Sequence, residues 1–379
     1  MKESSINLRN ALFGGFYKFL CKPIFFAMDP EKVHDRMLVV GQMLESNPVT
    51  RGLTKVFFGY SNKMLEQNIK GIKFRNPIGL AAGFDKNAQM PRLYEACGFG
   101  HGEIGSITGE PCEGNPKPRL WRLKKSQGLV VYYGLKNKGA EVIAKKLEGK
   151  EFSVPVGVSI AKTNCKVTAD KQAGIDDYVK AHRTMIDTGD YATINISCPN
   201  AHGGEPFSKP EDLDALLTAI EEVPTEKPIF IKLAPDHTHD EIDSIIEVAD
   251  RHKIAGFVCT NLTKDRGNES IMKKVVDSDV PDKGGISGMP VRDLSTEVVS
   301  HIYKKAGEKY VIMGCGGVFS AKDAYEKIKA GASLIQMITG MIFVGPQLMS
   351  DINRGLVKLL KQDGLANISD AVGLNHKKS

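Results

Sequence analysis

The chain has 379 residues, 41% hydrophobic, 25% charged and 7% aromatic, an ordinary globular composition with ample apolar material for a core. Its net charge of +6 suits an anionic ligand or an anionic membrane surface, but no dense Lys/Arg tract with interleaved aromatics exists, which argues against nucleic acid as a partner. The cysteines, Cys21, Cys97, Cys112, Cys165, Cys198, Cys259 and Cys315, are widely scattered, so no zinc or iron–sulfur ligand spacing is visible and reduced thiols are expected.

At the N-terminus, "ALFGGFYKFLCKPIFFAM" (11–28) is apolar and aromatic, punctuated by Lys18, Lys22 and Pro23. It is too short to span a bilayer. It could lie on one with its lysines reaching the headgroups, or pack on the main domain or a second subunit. No h-region with a small-residue cleavage site follows the basic residues, so no signal peptide is expected. "DPEKVHDRMLVVGQMLES" (29–46) reads as a helix capped by Asp29, with Pro30 in its first position and Glu31 in its first turn. Residues 1–65 are therefore read as a helical extension, and 66–379 as the main domain.

From about residue 70, short apolar runs recur: "PIGLAAG" (77–83), "HGEIGSIT" (101–108), "VPVGVSIA" (154–161), "YATINIS" (191–197), "PIFIKLA" (228–234), "IAGFVCTN" (254–261), "YVIMGCGG" (310–317) and "LIQMITG" (334–340). Most precede a segment of helical periodicity, such as 176–186, 240–252 and 321–331. Eight such βα units argue for an α/β fold of the (β/α)8 TIM-barrel type with a small N-terminal helical extension; a doubly wound sheet usually needs fewer. Insertions at roughly 109–133 and 263–290 would rise over the catalytic face.

In such a barrel the site forms at the strand C-terminal ends, and polar residues gather there. The first run supplies Gly83, Asp85 and Lys86; the second, Ser106 and Thr108; the third, Ser159 and Lys162. The fourth supplies Asn195, Ser197, Cys198 and Asn200, the fifth Lys232, the sixth Thr260 and Asn261, and the eighth Thr339. Taken singly, Lys86 or Lys232 reads as a surface lysine and Asn261 as a turn residue; two lysines and three asparagines spread over four strand ends read as a site. Glycines in "GGISG" (284–288), "GCGG" (314–317) and "ITG" (338–340) suit a phosphate, since backbone N–H groups can approach its oxygens there. No P-loop or dinucleotide fingerprint is present. Lys232 could face the electron-rich edge of a flavin, although a phosphorylated substrate without redox chemistry fits the same residues.

The segments "NPIGLAAGFDKNAQ", "GNPKPRLWRL", "INISCPN", "GGISGMP" and "AGASLIQMITGMIF" together resemble the dihydroorotate dehydrogenase family over about residues 70–355. The "DPEKVHDRM" helix preceded by aromatics resembles its quinone-dependent, membrane-associated class. The resemblance implies FMN in the barrel mouth, held by Ala82, Gly83, Ser106, Ser159, Asn195, Lys232, Thr260, Gly288, Gly317 and Thr339. It implies dihydroorotate bound by Lys86, Asn195, Asn200 and Asn261, a ring proton taken by Cys198, and reoxidation by a membrane quinone reached through residues 1–65. The corresponding setting is pyrimidine biosynthesis at the cytoplasmic face of the inner membrane, with peripheral attachment and no iron–sulfur cluster.

Three departures stand out. The base position holds Cys198 where quinone-dependent members carry serine. Val131 occupies a substrate-binding asparagine position in "VYYGLKN", with Asn137 or water as a substitute. Leu262 follows Asn261 where threonine is usual, and Ser159 replaces a flavin-contacting asparagine. An oxidoreductase acting on another heterocycle, or a flavin-binding barrel without catalysis, are the alternatives.

Overall fold

The recurring apolar runs become eight strands because each is β-branched or aliphatic, short and bounded by turn residues. In the computed structural model, which describes residues 3–198, 202 and 206–377, they are β1 (Ile78–Leu80), β2 (His101–Ile107), β3 (Val156–Ile160), β4 (Tyr191–Asn195), β5 (Ile229–Leu233), β6 (Ile254–Cys259), β7 (Val311–Cys315) and β8 (Leu334–Met337). They pair in parallel in chain order and close into a barrel. The closing pair is β8 with β1, where Ile335 stands opposite Ile78 and Met337 opposite Leu80. The TIM-barrel expectation is borne out, and the doubly wound alternative is not.

Outward-pointing residues of the strands meet the surrounding helices in one large apolar core. Inward-pointing residues stack along the axis. At the N-terminal end, Tyr191, Phe230, Val258, Met313 and Leu334 form an apolar plug with Phe74 from the hairpin that precedes β1. Above the plug the interior turns polar, with Glu103, Thr193 and Gln336, then Ser159, Asn195 and Lys232, all buried. Lys232 lies directly beside Asn195 in the β4–β5 register.

The two insertions do rise over the strand ends. They combine into an antiparallel sheet not foreseen from either alone: Gly128–Val131 is flanked by Leu120–Leu123 and by Gly285–Gly288.

The extension consists of α1 (Glu3–Phe16), a π-helical turn (Tyr17–Cys21), α2 (Lys22–Ala27), α3 (Pro30–Ser46) and α4 (Pro48–Phe58). Asp29 caps α3 as expected, accepting from the Lys32 N–H at 2.8 Å. One face of this layer is fastened to the barrel. Asn10 Nδ2 donates to Asp351 Oδ1 at 2.7 Å, Tyr17 Oη to the Ile342 carbonyl at 2.6 Å and Lys22 Nζ to the Phe343 carbonyl at 2.8 Å. The other face leaves Leu8, Leu12, Phe16, Phe19, Leu20 and Ile24 exposed. Among the described residues no helix is long and apolar enough to cross a membrane.

A buried ion pair joins α3 to the first insertion. Arg119 donates from Nε and Nη2 to Glu31 Oε1 at 3.1 and 2.8 Å, and from Nη1 to the Glu113 and Asn115 carbonyls, both at 2.9 Å. Burial alone would raise the Glu31 pKa, but the hydrogen bonds and charge of Arg119, with Lys117 and Lys136 farther off, hold it below the usual value. Removing one partner of such a pair strands the other charge. Arg119→Met should cost about 3 kcal/mol of stability, read as a lowered urea midpoint; an unchanged midpoint would mean that the outer lysines carry the pair.

Candidate active site

Buried polar side chains must find partners, and at the C-terminal ends of the strands they find one another. Ser159 and Ser106 share a hydrogen bond of 2.8 Å between hydroxyls. Asn195 Nδ2 donates to Ser106 Oγ at 2.8 Å. Ser197 Oγ donates to Asn195 Oδ1 at 3.0 Å, and Asn261 Nδ2 donates to Ser197 Oγ at 3.1 Å and to its carbonyl at 2.7 Å. This chain runs from β3 through β2 and β4 to β6 and links four predicted site residues: Ser106, Ser159, Asn195 and Asn261. Ser197, seen in the sequence as a strand-end residue but not assigned to the site, is its connecting link. Tyr178 Oη, from helix α6 (Lys171–Met185; α5 is Ala140–Leu147), braces the Asn195 carbonyl at 2.8 Å.

Lys232 is only 4% exposed, yet its ammonium meets no protein hydrogen bond or ion pair among the described residues. A charge so placed calls for a ligand with electron-rich atoms. The glycines form the other wall. Gly288 has φ of +90°, and a Cβ there would stand 2.8 Å from Thr339 Cγ2 and 2.5 Å from the Gln127 carbonyl. Thr339 shares a 3.0 Å hydrogen bond with Ser287 Oγ. Gly317, at φ +67°, has Arg292 against its missing side chain at 2.3 Å. Gly83, next to Ala82, donates to the Gly105 carbonyl at 2.7 Å and, at φ +107°, has only Ile338 Cδ1 near its missing side chain, at 3.9 Å; Thr260 N–H bonds the Cys315 carbonyl at 2.7 Å. The arrangement is a polar floor with one unmatched cation and a rim of bare backbone.

Lys86 sits apart from the serine–asparagine chain, toward the extension. Its ammonium lies 4.0 Å from the Tyr133 ring centroid, and His34 of α3 stacks edge-on against Phe84 while Nε2 meets the Phe84 carbonyl at 2.8 Å. Burial pushes the Lys86 pKa down to about 8, with Asp35 opposing and Lys136 assisting. Tyr133 and His34 were not singled out in the sequence; the former looks like a loop residue and the latter like a polar position on a surface helix.

Cys198 is half-buried just beyond β4. Asn200 lies outside the described residues. Lys162, 3% exposed, donates to the Thr168 carbonyl at 3.0 Å and to the His202 carbonyl at 2.6 Å. Asn164 Oδ1 accepts the His202 N–H at 2.7 Å. The segment after β3 thus holds His202 by both backbone groups, and the charge of Lys162 is felt at Cys198.

Val131 packs with Leu129, Phe319, Phe343 and Phe26 of α2 in an apolar cluster under the extension. Asn137 does not replace the missing amide. Its Nδ2 bonds Thr108 Oγ1 and the Leu135 carbonyl, both at 2.8 Å, and its Oδ1 accepts the Gly139 N–H at 2.8 Å. Leu262 Cβ would crowd any side chain at Gly285, at 2.6 Å.

The dihydroorotate dehydrogenase family profile matches residues 64–360. The chain is 37% identical over 356 residues to the dihydroorotate dehydrogenase (quinone) of Gloeobacter violaceus, covering 93% of this chain and 98% of the relative. It is likewise 37% identical to that of Natronomonas pharaonis, over 95% of this chain and 99% of the relative. The chain belongs to the dihydroorotate dehydrogenase family. The solved ligand-free DHODH from Eimeria tenella superposes with a TM-score of 0.81 at 31% identity, covering 92% of this chain and 99% of that one.

A lysine that loses its proton near pH 8 makes anion binding pH-dependent. With orotate as probe, affinity should be level below about pH 8 and fall by up to about tenfold per pH unit above it. Titration of binding by calorimetry checks this, and Lys86→Met should bind weakly at every pH without that break.

Proposed function

We propose that this protein oxidises dihydroorotate to orotate in pyrimidine biosynthesis, with FMN as the bound hydride acceptor and a membrane quinone as the final one. The observation that carries the reading is the hydrogen-bonded chain Ser159–Ser106–Asn195–Ser197–Asn261 beside the unmatched Lys232. When bound, FMN supplies a two-electron acceptor that no side chain provides.

Each residue then has a physical task. Ala82, Gly83, Ser106, Ser159, Asn195 and Thr260 would line the flavin ring, and Lys232 would stabilise negative charge on it through a dry, low-dielectric contact. Gly288, Gly317 and Thr339 would offer backbone and hydroxyl donors to the phosphate. Asn195, Asn261 and Asn200 would hold the amide and carbonyl groups of dihydroorotate, with Lys86 meeting its carboxylate. Cys198 would take the ring-carbon proton. A thiol, with a pKa of about 8.5 when free, is a far stronger candidate base than a hydroxyl, and the fixed cation of Lys162 favours its ionised form.

Residues 1–65 would form a membrane-facing extension that admits quinone. Among the described residues, thirteen of the sixteen exposed large hydrophobic side chains lie between Leu8 and Phe57, a concentration that favours burial in a lipid surface. Beneath them the apolar cluster around Phe26, Val131 and Phe343 leads toward the strand ends, edged by Lys22 and by Arg122, whose guanidinium sits 4.8 Å from the Phe26 ring. Peripheral attachment to the cytoplasmic face of the inner membrane follows from this reading.

Val131 favours a second reading, in which the same flavin chemistry acts on a different heterocycle. With Asn137 committed elsewhere, the pocket has one amide fewer for orotate, a deficit of about 1–3 kcal/mol if the ligand group is left unpaired.

The deciding experiment is anaerobic mixing of the yellow protein with dihydroorotate. Rapid loss of oxidised-flavin absorbance is expected; bleaching by dithionite but not by dihydroorotate would favour the second reading. Cys198→Ala should slow that bleaching by about 10²–10⁴-fold while retaining flavin, with Cys198→Ser losing less; unchanged kinetics would remove Cys198 from the base role. Leu12→Glu with Phe19→Glu should reduce cosedimentation with anionic vesicles at least about tenfold and leave dihydroorotate-driven bleaching intact. Equal cosedimentation would refute the membrane face.

A further inference from the structure

The layer of the barrel interior just below Asn195 and Lys232 holds a carboxylic acid that the site as described does not use. Glu103, from the middle of β2, is fully buried. Gln336 Nε2 of β8 donates to its Oε2. Its Oε1 has no hydrogen-bond partner, and neither do three other buried oxygens: Tyr191 Oη and Thr193 Oγ1 of β4, and Gln336 Oε1. The Tyr191 and Thr193 hydroxyls are close enough to influence the carboxyl, as is the ammonium of Lys232. No ion pair within 4.0 Å joins Glu103 to Lys232.

This set serves either charge state of the carboxyl. As an anion it faces three donors: the Gln336 amide and the two hydroxyls. As an acid it can donate to the Thr193 or Tyr191 hydroxyl oxygen, both of which bear on it. A site built for a permanent charge would pair it directly; one built for a neutral group would not need the donors.

The other titratable groups facing this layer stay neutral. His101, on the same strand, is pushed down to about 3 by burial. Tyr191 of β4 is raised well above its ordinary value by burial and by the nearby Glu103 charge. Cys315 of β7 is raised by burial, with Lys232 opposing. Met313 of β7 and Val258 of β6, which also point inward, carry no charge. The net charge of the layer is therefore decided between Glu103 and Lys232.

We propose that Glu103 is a positioning residue for Lys232: its carboxylate is the countercharge that sets how much positive potential Lys232 presents to the flavin. This rests on the reading of Lys232 as the cation beneath that cofactor. Negative charge gathers on a flavin ring when it is reduced, so a bare ammonium favours the reduced form and a partly neutralised one favours it less. Burial raises the Glu103 pKa. The countercharge is therefore present above that raised value and disappears as pH falls through it, and the midpoint potential should depend on pH beyond what the flavin itself imposes.

The test is the equilibrium of the holoprotein's flavin with a reference dye, measured from about pH 6 to 9. Glu103→Gln keeps the size of the side chain and removes its charge. It should shift the equilibrium toward reduced flavin by about tenfold at the alkaline end, the order expected of one unit charge at this range in a protein interior, and the gap to the wild type should close as pH falls. Glu103→Asp should stay near the wild type. Gln336→Leu removes a donor to the carboxylate, so it should shift the equilibrium in the same direction as Glu103→Gln, and it decides the matter if the latter does not accumulate. Flavin bound normally, with a potential that moves in Lys232→Met but in neither Glu103→Gln nor Gln336→Leu, would overturn this inference and leave the reading of the site standing. A purified protein that takes up no FMN would overturn both.

Discussion

Closure of the barrel by the β8–β1 pair is the constraint on which everything else rests. A parallel sheet that closes on itself has no edge and only one inside. Every second side chain of eight strands must then point at one axis, and all eight strand ends must meet at one rim. The consequence here is a gradient along that axis. Phe74, Tyr191 and Phe230 seal one end with apolar rings, Glu103 and Gln336 form a polar layer above, and Asn195, Ser159 and Lys232 open at the top. The serine–asparagine chain follows from the same geometry. Five polar side chains from four strands are forced within hydrogen-bonding range, and burial obliges them to use it.

The extension and the cap depend on that rim. The two insertions leave opposite sides of it, after β2 and β6, and pair as strands above it, which places Val131 and Leu129 in an apolar cluster with Phe26 and Phe343. The buried Glu31–Arg119 pair then holds α3 against the first insertion. One joint therefore keeps three things in register: the helices with the exposed apolar face, the apolar cluster beneath them, and Lys86 with its Tyr133 and His34 neighbours. Val131, where the resemblance implies an asparagine, packs into this cluster with Leu129, Phe319, Phe343 and Phe26.

Periodicity and motif made much of this legible in advance. The eight runs announced the barrel because buried parallel strands need continuous aliphatic stretches, and the rule that sites form at their C-terminal ends drew attention to Asn195, Lys232 and Asn261 before any contact was known. Asp29 and Pro30 announced the start of α3 through local hydrogen bonding alone. Other features were not legible. Glu103 reads in the sequence as an ordinary charged residue between apolar neighbours, and only strand alternation within a closed barrel turns it toward the axis. Ser197 was visible as a strand-end residue, but its part in joining Asn195 to Asn261 requires β4 and β6 to be held at a fixed distance. The pairing of residues 285–288 with 128–131 spans more than 150 positions and has no local signature.

What the sequence determined by itself is therefore what depends on short-range pattern: the elements, their order, the barrel they imply, and the chemical types collected at its mouth. What only the tertiary structure decided is which of those groups touch. Asn137, six residues after Val131, could have supplied an amide there on sequence grounds, yet its own amide is consumed by Thr108, Leu135 and Gly139. The direction of a side chain and the partners that exhaust its hydrogen bonds are set by neighbours far along the chain, and those are fixed only once the barrel closes.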